Sequence, residues 1–93
     1  MSFPTAAATA YDEVRYSNHP YAQTHPERLG VIGALHGLNV PRPATARVLE
    51  FACGAGANLL GMTYAYPQMR ALGVDLAVSA IEDAKQTAAG VGL

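Results

Sequence analysis

The chain has 93 residues, 51% hydrophobic and 14% charged, with a net charge of −1. The charged share falls well below the roughly 25% of an average globular domain, so part of the surface expects cover from a partner or from further chain. Scattered Lys and Arg argue against a large basic patch for nucleic acid, and a lone cysteine, Cys53, excludes an internal disulfide or a cysteine-pair zinc site.

Residues 1–10 are small and unpatterned, and read as a loose arm. They lack the basic start and longer apolar core of a signal peptide. No apolar run nears the ~18 residues of a membrane span, so the expectation is a soluble, cytoplasmic protein with no membrane partner. Residues 11–23 place Tyr11, Tyr16 and Tyr21 near Pro20 without a clean period. Two readings stand open for this stretch: packing onto the domain's own surface, or a lid over a ligand. The division predicted is an arm over 1–23 and a domain over 24–93.

A helix is predicted from about His25 to His36. Thr24 and Glu27 have capping-box spacing, and Pro26 sits in the first turn, where no backbone donor is needed. Leu29, Ile32 and Leu35 recur at helical spacing, and Gly37 is a left-handed terminator. Gly30 and Gly33 each cost about 1 kcal/mol against alanine, and they point to close packing on a neighbour. Asn39 to Ala46, with Pro41 and Pro43, is a rigid connector.

Val48-Leu49-Glu50-Phe51 is a short apolar run ending in a glycine-rich turn, the pattern of a buried parallel strand. A compact helix follows over Asn58 to Tyr66, with Met62 and Tyr64 assigned to the core and Pro67 as the stop. A second strand over Arg70 to Val74 ends at Asp75, and a last helix covers Val78 to Ala89, closed by Gly90 and Gly92. Strand, helix, strand makes a parallel βαβ unit, so the fold class is α/β. Two strands leave both sheet edges exposed, and the sequence therefore reads as a fragment or truncated product of a larger sheet, or as one half of a swapped, self-associated assembly.

The chemistry is concentrated at Glu50-Phe51-Ala52-Cys53-Gly54-Ala55-Gly56. Glycines after a strand let the backbone approach a ligand, and the helix N-terminus directs unpaired N–H groups at it. A phosphate-binding P-loop needs a lysine after its last glycine, and none is present. The dinucleotide fingerprint needs a third glycine where Leu59 stands, although Asp75 matches its downstream acid; an NAD-type module is the alternative. His19, His25 and His36 have no metal-ligand spacing, Cys53 has no partner for nucleophilic or metal chemistry, and no metal is expected. The adjacent acids Asp12 with Glu13 and Glu82 with Asp83 read as solvated surface.

With an acid ahead of the loop, the segment resembles motif I of the class I S-adenosylmethionine-dependent methyltransferases, including the Val48-Leu49 lead-in. Gly73-Val74-Asp75-Leu76 resembles motif II, and Ile81 and Ala84 fit the helix that follows, with Ala77 where the family has serine. The N-terminal stretch, Tyr11-Asp12-Glu13-Val14 and Gln23-Thr24-His25-Pro26-Glu27-Arg28-Leu29, resembles the opening of a bacterial group that carries a methyltransferase regulatory domain. Some of its members methylate protein lysines.

The resemblance implies the N-terminal part of a Rossmann-like methyltransferase fold with S-adenosyl-L-methionine as cofactor. Its cofactor-binding positions are Glu50, Ala52, Cys53, Gly54, Ala55, Gly56, Asp75 and Leu76. Asp75 would accept from both ribose hydroxyls, Leu76 would lie beside adenine, and Glu50 would organise the loop around the methionine portion. It also implies that the arm lies over the cofactor, which brings Tyr11, Tyr16 and Arg28 into question as contacts. The methyl acceptor, a small molecule or a protein side chain, and the catalytic residues lie beyond what these motifs specify.

Overall fold

The computed structural model describes Asp12 and residues 17–93. In chain order these form a 3-10 turn at Ala22–Thr24, helix α1 (Pro26–Leu35), a 3-10 turn at Pro43–Thr45, strand β1 (Arg47–Phe51), helix α2 (Ala57–Ala65), strand β2 (Arg70–Val74) and helix α3 (Val78–Gly90). The α/β order and both strands fall where the apolar runs put them.

Helix α1 begins differently from the capping box expected at Thr24. The Thr24 hydroxyl donates to Tyr21 O at 2.9 Å within the 3-10 turn, and His25 takes the cap instead. Its Nδ1 accepts the Glu27 N–H at 3.1 Å. The helix ends at Gly37, φ +80°, with Gly37 N–H donating to Ala34 O and Leu38 N–H to Gly33 O. That pair of bonds is a Schellman closure, which needs the left-handed residue that glycine supplies without strain. The glycines inside α1 face the connector: a Cβ on Gly33 would lie 2.8 Å from a Val40 methyl.

Strands β1 and β2 pair in parallel, from Arg47 opposite Arg70 to Phe51 opposite Val74. Side chains alternate across a strand, so Val48 and Ala71 share one face, and Leu49, Phe51 and Leu72 share the other. The first face meets α2, where Leu59, Met62, Met69 and Ala71 form a cluster with Val48 and Tyr66 against it. The second face is open, with Phe51 74% exposed. The strands are thus covered on one face by the described residues, where the apolar run implied burial on both.

Tyr64 also departs from expectation. It is 67% exposed, while Met62 is buried. Two residues turn a helix by about 200°, so a chain that aims Met62 at the sheet aims Tyr64 at solvent. Helix α3 packs by small residues: Ala80, Ile81, Ala84 and Ala88 are buried, and Ile81 and Ala84 cluster with Cys53 of the loop after β1.

Candidate functional site

Parallel strands of equal register end at the same level, which sets the loop after β1 beside the loop after β2. Ligands of open α/β sheets bind at this carboxyl end. A cleft of about 890 Å³ lies there, within the few-hundred to thousand Å³ range of small-molecule sites. Its wall includes Glu50, Ala52, Cys53, Gly54, Ala55, Asp75 and Leu76, so seven of the eight motif positions meet in one place.

Gly56, the eighth, is turned inward. A Cβ there would lie 3.2 Å from Ala84 Cβ and 3.2 Å from Leu60 Cδ1, and its φ is +85°. Its role is to let α2 start directly under α3. The loop ahead of it bends at Ala52, whose φ of 56° is left-handed, a conformation that costs a non-glycine residue about 1–2 kcal/mol. Beyond this bend the Cys53 N–H still reaches Val74 O at 3.1 Å and carries the ladder past the end of β1.

Two carboxylates organise the cleft. Asp75 Oδ2 accepts the Gly54 N–H and Oδ1 accepts the Ala77 N–H, each at 2.8 Å. A carboxylate has about four acceptor sites, so Asp75 retains capacity for ligand hydroxyls after tying the two loops together. Glu50 Oε2 accepts from Asn58 Nδ2 at 2.6 Å. No Lys or Arg among the described residues lines the cleft, while Glu50, Asp75 and Asp83 all do.

Cys53 belongs to the wall through its backbone. Its thiol is buried against Ile81 and Ala84, and its pKa is pushed up from 9.0 to about 11, first by burial and then by Asp75 and Glu50. A thiol held protonated is a poor nucleophile and metal ligand. No cluster of metal-ligating side chains occurs among the described residues.

Several contributors had no signal at the motifs. Asn58 donates from Nδ2 to Thr24 Oγ1 at 2.9 Å as well as to Glu50, and its Oδ1 accepts the Tyr21 N–H at 2.7 Å. Asn18 Oδ1 accepts the Ala57 N–H at 2.9 Å, and Asp12 Oδ1 accepts from Ser79 N and Oγ at 2.6 and 2.7 Å. Neither α2 nor α3 has a side-chain cap of its own, since Gly56 and Ala77 stand at the cap positions. The arm therefore supplies acceptors to the first turns of both helices, as a local Ser or Asp would. Its residues 17–19 and 21, with Thr24 just after it, join the cleft wall. Arg28 is exposed on α1 and outside that wall, while Tyr11 and Tyr16 lie outside the described residues.

No family model matches the chain. Two uncharacterized proteins of Rickettsia prowazekii (strain Madrid E) are similar to it, at 45% identity over 78 residues and 39% over 83 residues. These alignments cover 84% and 89% of this chain but 31% and 15% of the relatives, so the chain spans a third or less of their length. Two solved structures of PKMT2 from Rickettsia typhi, one in complex with AdoHcy, match at 43% identity with a TM-score of 0.75. They cover 81% and 80% of this chain, which corresponds to 14% of theirs. On sequence and fold together, the resemblance to the S-adenosylmethionine-dependent methyltransferases holds for this chain, over a part of much longer relatives.

Proposed function

We propose that the chain is the cofactor-binding front of an S-adenosylmethionine-dependent methyltransferase whose acceptor is a protein side chain. The observation that carries the cofactor reading is the sign of the cleft. Glu50 and Asp75 stand at the ends of the two strands, with no Lys or Arg of the described residues in the wall. Opposite charge within a few ångströms favours a cation, so the site suits a sulfonium with an α-ammonium tail better than a pyrophosphate. The AdoHcy bound in PKMT2 from Rickettsia typhi supports the same cofactor class, and the name of that protein supports a protein acceptor.

The residues fit the group by their chemistry. Asp75, already fixed by two backbone N–H groups, presents its remaining lone pairs to the ribose hydroxyls, a charge-assisted arrangement stronger than a neutral one. Leu76, exposed beside it, offers an apolar surface to adenine. Ala52, Cys53, Gly54 and Ala55 contribute backbone, with Glu50 offsetting positive charge at the methionine end. Gly56 acts from beneath by seating α2. The bound sulfonium supplies an electrophilic methyl group; the protein's part is to hold it in line with an acceptor, where orientation alone lowers the barrier substantially. Residues 1–23 act as an arm and lid, and no residue of the chain is assigned to catalysis. The buried, unpaired Cys53 fits a reducing, cytoplasmic setting. No helix among the described residues is long and apolar enough to cross a membrane.

Calorimetry with AdoHcy tests this reading. The chain is expected to bind AdoHcy, and Asp75→Ala to weaken it by about tenfold to a hundredfold, the value of one hydrogen bond to a charged group. Binding of NAD without binding of AdoHcy would overturn it.

A further inference from the structure

Asn58 is 8% exposed and lines the cleft, and its side-chain amide bonds three partners from two parts of the chain. Its carbonyl oxygen accepts the Tyr21 N–H, and its two amide hydrogens go to Thr24 Oγ1 and Glu50 Oε2. The orientation of the amide follows from its neighbours. A backbone N–H can only donate, and a carboxylate can only accept, so the oxygen must face Tyr21 and the nitrogen must face Glu50.

We propose that Asn58 is a positioning residue that makes docking of the arm and setting of the Glu50 carboxylate a single event. When the arm leaves and takes the turn through Thr24 with it, the Asn58 amide loses two of its three partners, and the Glu50 carboxylate loses the fixed scaffold that holds its donor. When Glu50 is drawn toward a cation in the cleft, the amide that tracks it carries Thr24 and Tyr21 along. Cofactor occupancy and arm closure then share one free energy, which must act reciprocally. This extends the cofactor reading and rests on it. The arm also meets α2 at Ala57 through Asn18, next in the chain to Asn58, so the coupling has a second foot on the same helix turn.

The test uses the full chain, with AdoHcy as the probe and the exchange rate of the Tyr21 amide, measured without ligand, as the report on the arm. Asn58→Asp keeps an acceptor for Tyr21 but sets a second carboxylate against Glu50. It is expected to speed Tyr21 exchange and weaken AdoHcy, each by about tenfold or more, as loss of a buried bond to a charged group implies. Adding Glu50→Gln to Asn58→Asp reverses donor and acceptor, and should return Tyr21 exchange to within about threefold of the unaltered chain. The rescue is read on Tyr21 exchange alone, because Glu50 itself faces the methionine end of the cofactor in the proposed site. A purely structural role would show no such rescue.

Unchanged Tyr21 exchange in Asn58→Asp, or no rescue by Glu50→Gln, overturns the proposal. If Asn58→Asp does not fold, Glu50→Ala decides. Among the described residues Glu50 bonds Asn58 and neither Tyr21 nor Thr24, so a several-fold faster Tyr21 exchange is expected to come through Asn58; no change overturns the coupling. If the unaltered chain binds no AdoHcy, the cofactor reading falls, while the exchange data still decide whether Asn58 joins the arm to Glu50.

Discussion

Helix α1 carries Leu29, Val31, Ile32 and Leu35, and none of its residues is buried. Helix α3 presents mostly alanine on its inner face, yet buries Ala80, Ile81, Ala84 and Ala88. The difference lies in what each helix leans on. Helix α3 leaves β2 and turns straight back over the loop after β1, where small side chains let it come within contact of Gly56. Helix α1 rests on the short turn before it and on the connector after it, with Gly33 against Val40. Apolar side chains give a helix something to bury, but a neighbouring surface decides whether burial occurs.

Paired substitutions can break this comparison. Ile81 is fully buried, and Ile81→Ala is expected to cost about 2–5 kcal/mol of stability by urea unfolding. Leu35, 81% exposed, should change stability by less than about 0.5 kcal/mol on the same substitution. Equal costs would mean that α1 is as firmly packed as α3.

Glycines sharpen it next. Gly56→Ala meets both a left-handed φ and a crowded site, and about 3 kcal/mol of destabilisation is expected from strain plus overpacking. Gly33→Ala also meets a close neighbour, but a helix interior gains about 1 kcal/mol from alanine, and a Val40 shift offsets it. Its melting point should barely move.

The last effect, confined to alkaline pH, concerns Cys53. Its thiol titrates higher in the folded chain than its ordinary 9.0, so the folded state holds the proton more tightly. The stability this gives is whole below pH 9 and is lost as pH rises toward about 11. Measured against Cys53→Ala across that window, the unaltered chain should lose ground as the pH increases. An advantage that stayed flat with pH would show the thiol to be solvated rather than packed under α3.

Both strands, the glycine loop and Asp75 were legible because each rests on local pattern: a short apolar run, positive-φ glycines, an acid at a strand end. Seven of the eight motif positions share one cleft for that reason. Tyr64 was misassigned because apolar character alone, without its angle from Met62, does not fix a face. The open face of the sheet was equally hidden, since a run such as Val48 to Phe51 reads the same whether one side or both are covered. Asn58 left a faint trace, a polar residue beside Leu59, Leu60 and Met62 in a helix that its side chain does not favour. Asn18 left none where it stands, and Asp12, in a stretch marked by resemblance alone and read as solvated surface, caps α3 instead. Their trace is elsewhere, in the missing caps at Ala77 and Gly56.

Those borrowed caps bear on the order in which the chain folds. Asn18 lies 39 residues before the N–H it completes, and Asp12 lies 67 before its own. Contacts at such separation form only after long loops have closed, while α2 and β2 need only their neighbours. The arm is therefore the first of these pieces to leave the ribosome and the last to find its place. Slowing the emergence of Ser79 should delay the seating of residues made long before it.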